Sequence, residues 1–202
     1  MANRPRWIKG NSSYSEVQRT VDRTYMFKPD TTVRQIIGVA AGRSLAKFPV
    51  KIYWMDFSIN HKHLGVAPLS DSDEHLRNYS KFHQMFNSMV AKGLNQYLGR
   101  EGALYSTPNR STEVLDNQSM EQQLFYAVTN VVKDGLVDRV TEWKGFSSYE
   151  QLTTGEVEKF HYIDYAAWKK AGGSKSGKKP QAFMTATTVP LTPLPQWESW
   201  SP

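Results

Sequence analysis

The sequence VKIYWMDFSINHKHLGVA, residues 50–67, predicts a β-hairpin. Residues 50–58 are rich in β-branched and aromatic side chains, which favour strands. Ile59 and Asn60 form a short turn, and residues 61–67 read as the returning strand, which ends at Pro68. We therefore expect two neighbouring antiparallel strands, of which the second begins with a pair of histidines.

Before the hairpin, the sequence predicts one strand and one helix. Residues 17–27 contain Val, Thr, Tyr and Phe, which are typical of a strand. Thr31 and Thr32 can cap a helix whose apolar residues recur at helical spacing until Pro49.

After the hairpin, a long helix is expected to begin within residues 70–73, and residues 110–115 read as a further strand. Ser119 and Gln122 fit a capping box at the start of a last helix, which is predicted to run to about Val132. The order β-α-β-β-α-β is that of an α+β, ferredoxin-like (split βαβ) sandwich with an antiparallel sheet. Two helices then cover one face of the sheet, and the other face is available to a ligand or a third helix.

Composition limits the class of protein. The chain has 202 residues, with 25 Lys and Arg against 19 Asp and Glu, and a net charge of +6. A basic, aromatic-rich chain suits a polyanionic partner. The absence of cysteine excludes disulfides, thiolate metal sites and thiol catalysis, and it fits a reducing cytoplasm. No apolar run approaches the roughly 20 residues of a membrane span, and the first ten residues do not read as a secretory signal. We therefore expect no membrane partner.

The composition changes near residue 165. Residues 1–165 mix apolar and polar side chains as a folded domain does, whereas residues 166–202 are basic and rich in Pro and Thr. Such a segment buries little apolar surface, so we expect a flexible tail after the domain. Its last part, with Trp197 and Trp200, could instead dock on the domain. Five lysines in the segment have no acid among them: Lys169, Lys170, Lys175, Lys178 and Lys179.

His61 and His63 form the first candidate site. Alternate residues of a strand point to the same face, so the two imidazoles would lie side by side, about 7 Å apart along the backbone. This pair could hold one divalent metal ion. The alternative interpretation is two ordinary histidines near a turn.

Tyr126 and Asn130 form the second candidate site, because residues four apart on a helix share a face. Two imidazoles and one amide oxygen would make a mixed nitrogen and oxygen ligand set that suits Mn²⁺ or Mg²⁺. A metal held there could polarise a phosphodiester, and a nearby tyrosine could attack it and hold the product covalently.

Five motifs in order resemble those of the single-tyrosine HUH transposases, and most closely the REP-associated tyrosine transposases. The motifs are Asn60-His61-Lys62-His63-Leu64, Gly99-Arg100-Glu101-Gly102, Tyr126 with Asn130, Asn130 to Val137, and Trp143 with Ser147-Ser148. They lie within residues 17–149.

The resemblance implies a ferredoxin-like domain that cleaves and rejoins single-stranded DNA at hairpin (REP-like) sequences. His61, His63 and Asn130 would bind a divalent metal, Mg²⁺ or Mn²⁺, beneath the tyrosine-bearing helix. Tyr126 would be the nucleophile and would form a 5′-phosphotyrosine intermediate. The location implied is the prokaryotic cytoplasm, in association with the nucleoid. The oligomeric state is open, with a monomer slightly favoured over a homodimer.

Three residues depart from the family pattern. Lys62 stands between the histidines where the family has a hydrophobic residue, and Ile59 and Val131 replace prolines. A buried lysine is costly without a partner. A catalytically inactive hairpin-DNA-binding module of the same fold is therefore an alternative function, and an unrelated RNA-binding protein with this fold is a weaker one.

Arginines near the N-terminus, interleaved with Trp7 and Tyr14, and arginines that flank the loop before the tyrosine-bearing helix are the candidate DNA contacts. Guanidinium and aromatic groups together suit phosphates and unstacked bases. The predicted DNA-binding residues are Arg4, Arg6, Arg19, Arg23, Arg100 and Arg110.

Overall fold

The computed structural model describes residues 8–197, in which the central feature is a four-stranded antiparallel sheet. Its strands lie in the order β2-β3-β1-β4. This is the order of a split βαβ sandwich, so the predicted α+β, ferredoxin-like fold is confirmed. The strands are β1 (Ser13–Arg19), β2 (Lys51–Phe57), β3 (His61–Ala67) and β4 (Arg110–Val114).

Three long helices accompany this sheet. They are α1 (Thr31–Lys47), α2 (Asp73–Leu98) and α3 (Asn117–Lys133). No helix among residues 8–197 is long and apolar enough to cross a membrane.

The helices begin at caps that differ in part from the predicted ones. Asp30, rather than Thr31 or Thr32, caps α1 by accepting a hydrogen bond from Val33 N. The capping box predicted at Ser119 is wrong, because Asp116 caps α3 and accepts from Ser119 N at 2.7 Å. A carboxylate both accepts this hydrogen bond and favours the positive end of the helix dipole.

The first strand is also displaced from its predicted position. It spans Ser13–Arg19 rather than residues 17–27, because the chain leaves the sheet after Arg19 and turns sharply at Asp22 and Arg23. The predicted hairpin is observed, with Val66 opposite Ile52 and His63 opposite Asp56.

The two faces of the sheet carry different helices. α1 and α2 cover one face with the main hydrophobic core, which includes Ile37, Phe86, Leu64 and Val66. α3 covers part of the other face through a smaller cluster. Gly65 makes this second contact possible, because an added Cβ would lie 2.3 Å from the ring of Trp54, which belongs to that cluster.

The expectation of a flexible tail is wrong for the segment that forms β6. This strand (Met184–Thr188) pairs with β5 (Lys159–Ile163) in a second, two-stranded sheet that packs on α1. Gly38 and Gly42 of α1 leave the space for this contact, since an added Cβ would collide with Phe160 and Thr187 respectively. The short helices α4 (Tyr149–Thr154) and α5 (Tyr165–Lys170) lie before β5 and between β5 and β6.

After β6, residues 189–197 run back to the first sheet, and we call this segment the C-terminal strap. Thr192 N donates to Ile52 O at 2.6 Å, so the strap lies along the outer edge of β2. Leu194 is buried with the residues under α3, and Trp197 Nε1 donates to Glu121 Oε1 of α3 at 2.9 Å. Trp197 therefore docks on the domain, whereas Trp200 lies outside the described residues.

Candidate active site

His61 and His63 lie on the sheet face that carries α3. Their rings are side by side, with centroids 4.9 Å apart, and both residues are buried. The strand places them there because residues 61 and 63 are two apart, so their side chains share a face.

α3 brings Asn130 and Tyr126 to the same place. Asn130 Nδ2 lies 2.9 Å from His61 Nε2, and the ring of Tyr126 lies 5.4 Å from that of His63, centroid to centroid. Tyr126 is 42% exposed, so its phenol can be reached from solvent. The four residues that the sequence singled out therefore converge on one cleft.

Hydrogen bonds fix the protonation of His61. Asn60 Oδ1 lies 2.7 Å from His61 Nδ1, and an amide oxygen can only accept, so Nδ1 carries the proton. The lone pair of Nε2 then faces Asn130 Nδ2. Burial lowers the pKa of His61, with the Asp134 charge opposing this and the Arg19 charge adding to it. Burial, followed by the charges of His61 and Arg19, lowers the pKa of His63 to about 3.

The donor set is compatible with one divalent ion. His63 Nε2 is buried and has no hydrogen-bond partner within residues 8–197, and both imidazoles are neutral, as ligands must be. No group of three or more His, Cys, Asp or Glu side chains in the described part of the chain could hold a metal ion. The Asn130 amide would therefore be needed as the third protein ligand, giving the mixed nitrogen and oxygen set that Mn²⁺ and Mg²⁺ accept.

Two residues at the end of α3 extend the site and were missed by the sequence reasoning. Asp134 Oδ2 accepts from Asn130 Nδ2 at 2.9 Å and from Ser58 Oγ at 3.3 Å. The ammonium of Lys133 lies 4.6 Å from the ring centroid of Tyr126. Spacing could have found both residues, since they follow Asn130 by four positions and Tyr126 by seven.

The Ser147-Ser148 part of the last motif supports the hairpin from its outer side, at β2. Ser147 Oγ and Ser148 N donate to Asp56 Oδ1 at 2.6 and 3.1 Å. Burial raises the pKa of Asp56 to about 6, although these hydrogen bonds act to lower it. Because Asp56 is opposite His63 in the β2–β3 register, this motif holds the strand beside the histidine pair.

Three of the six predicted DNA-binding arginines line one pocket of about 400 Å³. We call it the arginine pocket; its lining residues are Val17, Arg19, Thr20, Asp22, Arg23, Ser106, Thr107 and Arg110. Arg19 is opposite His61 in the β1–β3 register, and Val17 is opposite both His63 and Arg110. The pocket therefore adjoins the histidine pair.

The other three arginines are placed differently. Arg100 holds its own loop together, because Nη1 donates to Asn95 Oδ1 at 2.7 Å and Nη2 donates to Ala103 O at 3.2 Å. Gly99, with φ of 61°, ends α2 in the left-handed conformation, so the Gly-Arg-Glu-Gly motif is a helix-ending loop. Arg4 and Arg6 lie outside the described residues, and their role stays a prediction.

Lys62 points away from the cleft. Its ammonium donates to Asn87 Oδ1 of α2 and lies between the rings of Phe86 and Tyr105, 4.6 and 5.0 Å from their centroids. Lys62 therefore belongs to the α1–α2 side of the sheet, where the family has a hydrophobic residue.

Comparison with solved structures identifies the fold. A REP-associated tyrosine transposase bound to a REP hairpin superposes with a TM-score of 0.56 and 19% identity, covering 77% of this chain and 87% of that one. The chain has the fold of a REP-associated tyrosine transposase. The resemblance stated from the sequence is thus confirmed at the level of the REP-associated transposase fold.

Other comparisons are less similar or negative. A bacterial tRNA(His) guanylyltransferase-like protein in complex with GTP has a TM-score of 0.44 and 12% identity, covering 64% of this chain and 68% of that one. The same kind of protein in complex with ATP has a TM-score of 0.46 and 10% identity, covering 92% and 84%. No family model and no curated protein matches this sequence.

Proposed function

We propose that this protein is a metal-dependent transposase or endonuclease that cleaves and rejoins single-stranded DNA at hairpin sequences. The observation that carries the proposal is the convergence of Tyr126 from α3 with His61 and His63 from β3, completed by Asn130. The two residues of α3 lie 63 or more positions after the two histidines of β3, yet all four share one cleft.

In the proposed reaction, the phenol oxygen of Tyr126 attacks the phosphorus of the scissile phosphodiester. The new P–O bond joins the 5′-phosphate to the tyrosine, and the bond to the 3′-oxygen breaks. The phenol proton passes to water, which the 42% exposure of Tyr126 allows, and the leaving 3′-oxygen takes up a proton. A second 3′-hydroxyl reverses these steps and rejoins the strand.

His61, His63 and Asn130 would hold Mg²⁺ or Mn²⁺ when it is bound, and such an ion polarises a phosphate oxygen as a Lewis acid. The hydrogen bond from His61 Nδ1 to Asn60 fixes the tautomer in which Nε2 carries no proton, as a metal ligand requires. Lys133 adds positive charge beside the phenol, where the anionic strand must arrive.

The inactive hairpin-binding module is the second candidate function. This alternative was considered because the ammonium of Lys62 could lie close enough to the metal site to repel the ion. Lys62 instead lies on the opposite face of the sheet and is paired with Asn87, so this reason for inactivity does not apply. We therefore favour the enzyme over the binding module.

Hairpin DNA is the proposed partner for two reasons. The transposase with the same fold was solved with a REP hairpin bound, and the arginine pocket offers three guanidinium groups beside the cleft. A monomer is proposed, because α3 and β3 of a single chain supply all four residues.

The test is a denaturing gel shift with labelled hairpin oligonucleotides, run with Mn²⁺, with Mg²⁺ and with a chelator. The wild-type protein should give a metal-dependent, denaturant-resistant protein–DNA band. Tyr126→Phe should give none while retaining native hairpin binding, and Tyr149→Phe is the matched control that should keep the band. An adduct formed by Tyr126→Phe would show that another residue is the nucleophile.

A further inference from the structure

The arginine pocket has a surplus of positive charge. Arg19, Arg23 and Arg110 line it against the single carboxylate of Asp22. None of the three guanidinium groups forms an ion pair or hydrogen bond with another residue of the described chain. A guanidinium group presents planar, paired donors that match a phosphate. The pocket is therefore suited to an anion.

The turn that carries Arg23 is strained. Asp22 and Arg23 have φ values of 52° and 54°, in the left-handed region that residues with side chains rarely adopt. Hydrogen bonds hold the turn: Thr20 Oγ1 donates to Thr24 O at 2.7 Å, and Arg23 N donates to Thr20 O at 3.2 Å. Strain maintained by surrounding bonds is typical of a segment that positions a functional side chain.

Asn60 joins this turn to the histidine pair. Its carbonyl accepts from Thr20 N at 2.9 Å, and its Nδ2 donates to Arg23 O at 3.2 Å. Its Oδ1 accepts from His61 Nδ1 at 2.7 Å. One residue therefore sets the position of the arginine pocket relative to the imidazole of His61.

The volume of the pocket limits its ligand. About 400 Å³ lies near the lower end of the range for small-molecule sites, which is enough for one nucleotide but not for a duplex. Ser106 and Thr107 are exposed at the pocket and add hydroxyl groups that can bond a sugar or base edge.

We propose that the arginine pocket binds one nucleotide of the substrate strand next to the scissile phosphate, with its own phosphate held by Arg19, Arg23 and Arg110. The identity of the strand rests on the proposed function. By fixing one neighbouring nucleotide, the pocket selects which phosphodiester lies beside Tyr126.

The experiment measures binding without catalysis. A fluorescently labelled, unstructured thymidine pentanucleotide is titrated with the full chain in EDTA, and fluorescence anisotropy gives the affinity at several salt concentrations. Arg23→Gln and Arg110→Gln should each weaken binding roughly tenfold and reduce the slope of log affinity against log salt by about 0.7. Arg77→Gln removes the same charge from α2, on the other side of the sheet, and should change affinity less than twofold.

A phosphate-by-phosphate scan locates the contact. Oligonucleotides with one neutral methylphosphonate at each position are compared on wild type and Arg23→Gln. One position should weaken binding to the wild type and have no effect on the variant. The proposal is overturned if the wild type shows no saturable binding, if Arg77→Gln loses as much affinity as Arg23→Gln, or if the scan gives the same profile on both proteins.

The two proposals can fail separately. The binding assay contains no metal and requires no bond cleavage. A protein that forms no DNA adduct can therefore still show nucleotide binding by the arginine pocket. Conversely, the wild type could form the DNA adduct while Arg23→Gln binds the pentanucleotide normally. This result would support the proposed function and contradict the proposed role of the arginine pocket.

Discussion

The ammonium of Lys62 on β3 donates a hydrogen bond to Oδ1 of Asn87 on α2, across the face of the sheet opposite the histidine pair. Glu16, whose charge acts on Lys62, itself accepts hydrogen bonds from Tyr79, Asn109 and Ser111 at 2.7, 2.8 and 2.5 Å. Loss of Lys62 would therefore leave Glu16 with three hydrogen bonds.

Lys62→Met should change the pH dependence of stability. Burial lowers the pKa of Lys62 from 10.5 to about 7, with Glu16 opposing the shift. Between these values the unfolded chain binds more protons at this position than the folded chain, so the free energy of unfolding rises with pH in wild type. The variant should lose this rise. At pH 7 its free energy of unfolding should equal that of the wild type or exceed it by on the order of 1 kcal/mol.

Urea denaturation of both proteins at pH 6.5, 8.5 and 10 measures this difference. Lys62→Met should also keep the metal-dependent DNA adduct, because the ammonium lies on the other face of the sheet. Loss of the adduct in a folded variant would mean that Lys62 acts on the cleft after all.

Asp134→Ala should weaken metal binding. Asp134 accepts a hydrogen bond from the Asn130 amide nitrogen, and removing such a partner of a ligand typically costs at least roughly tenfold in affinity. Calorimetric titration of the protein with Mn²⁺, without DNA, gives the dissociation constant. Asp138→Ala removes an equal charge four residues further on and serves as the control. Equal affinities for the two variants would rule out the positioning role.

Lys133→Gln should slow adduct formation. The ammonium beside the Tyr126 ring favours the negative charge of the phosphate group that the phenol oxygen attacks. A loss of about 1.4 kcal/mol of this effect corresponds to a rate roughly tenfold lower. Single-turnover adduct formation on a fixed hairpin gives the rate, and Lys133→Arg should stay close to wild type. A Gln variant as fast as the Arg variant would contradict this role.

Trp197→Ala should loosen α3. The indole donates to Glu121 and packs against the cluster beneath α3, so its loss should lower the free energy of unfolding by about 2 kcal/mol. Hydrogen exchange should show reduced protection of α3 amides in particular. Trp168→Ala removes an indole bonded to Lys178 instead, and its effect should spare α3. Unchanged exchange in α3 after Trp197→Ala would mean that the strap does not hold the helix.

Local patterns predicted the main sheet and its three long helices. The hairpin of residues 50–67 was predictable because it is rich in β-branched and aromatic residues. The periods of two and four predicted the pairs His61 with His63 and Tyr126 with Asn130, whereas the roles of the four residues in one site came from the family resemblance. The start of α3 was misplaced because Asp116, which lies three residues before Ser119, is the better acceptor for the helix amides.

The features that the sequence did not predict depend on distant contacts. β6 is a short strand of mainly polar residues whose stability comes from pairing with β5 and from the grooves at Gly38 and Gly42. Its composition alone therefore favours a mobile segment. The surroundings of the Lys62 side chain were likewise not predictable from the sequence, because only the tertiary structure brings Asn87 and two aromatic rings to it.

The C-terminal strap also sets an order of assembly during synthesis. Residues 189–197 are translated after every strand and helix that they contact, including β2 and α3. The helix that carries Tyr126 therefore gains this anchor only when residue 197 has left the ribosome. A nascent chain would hold Tyr126 loosely until then.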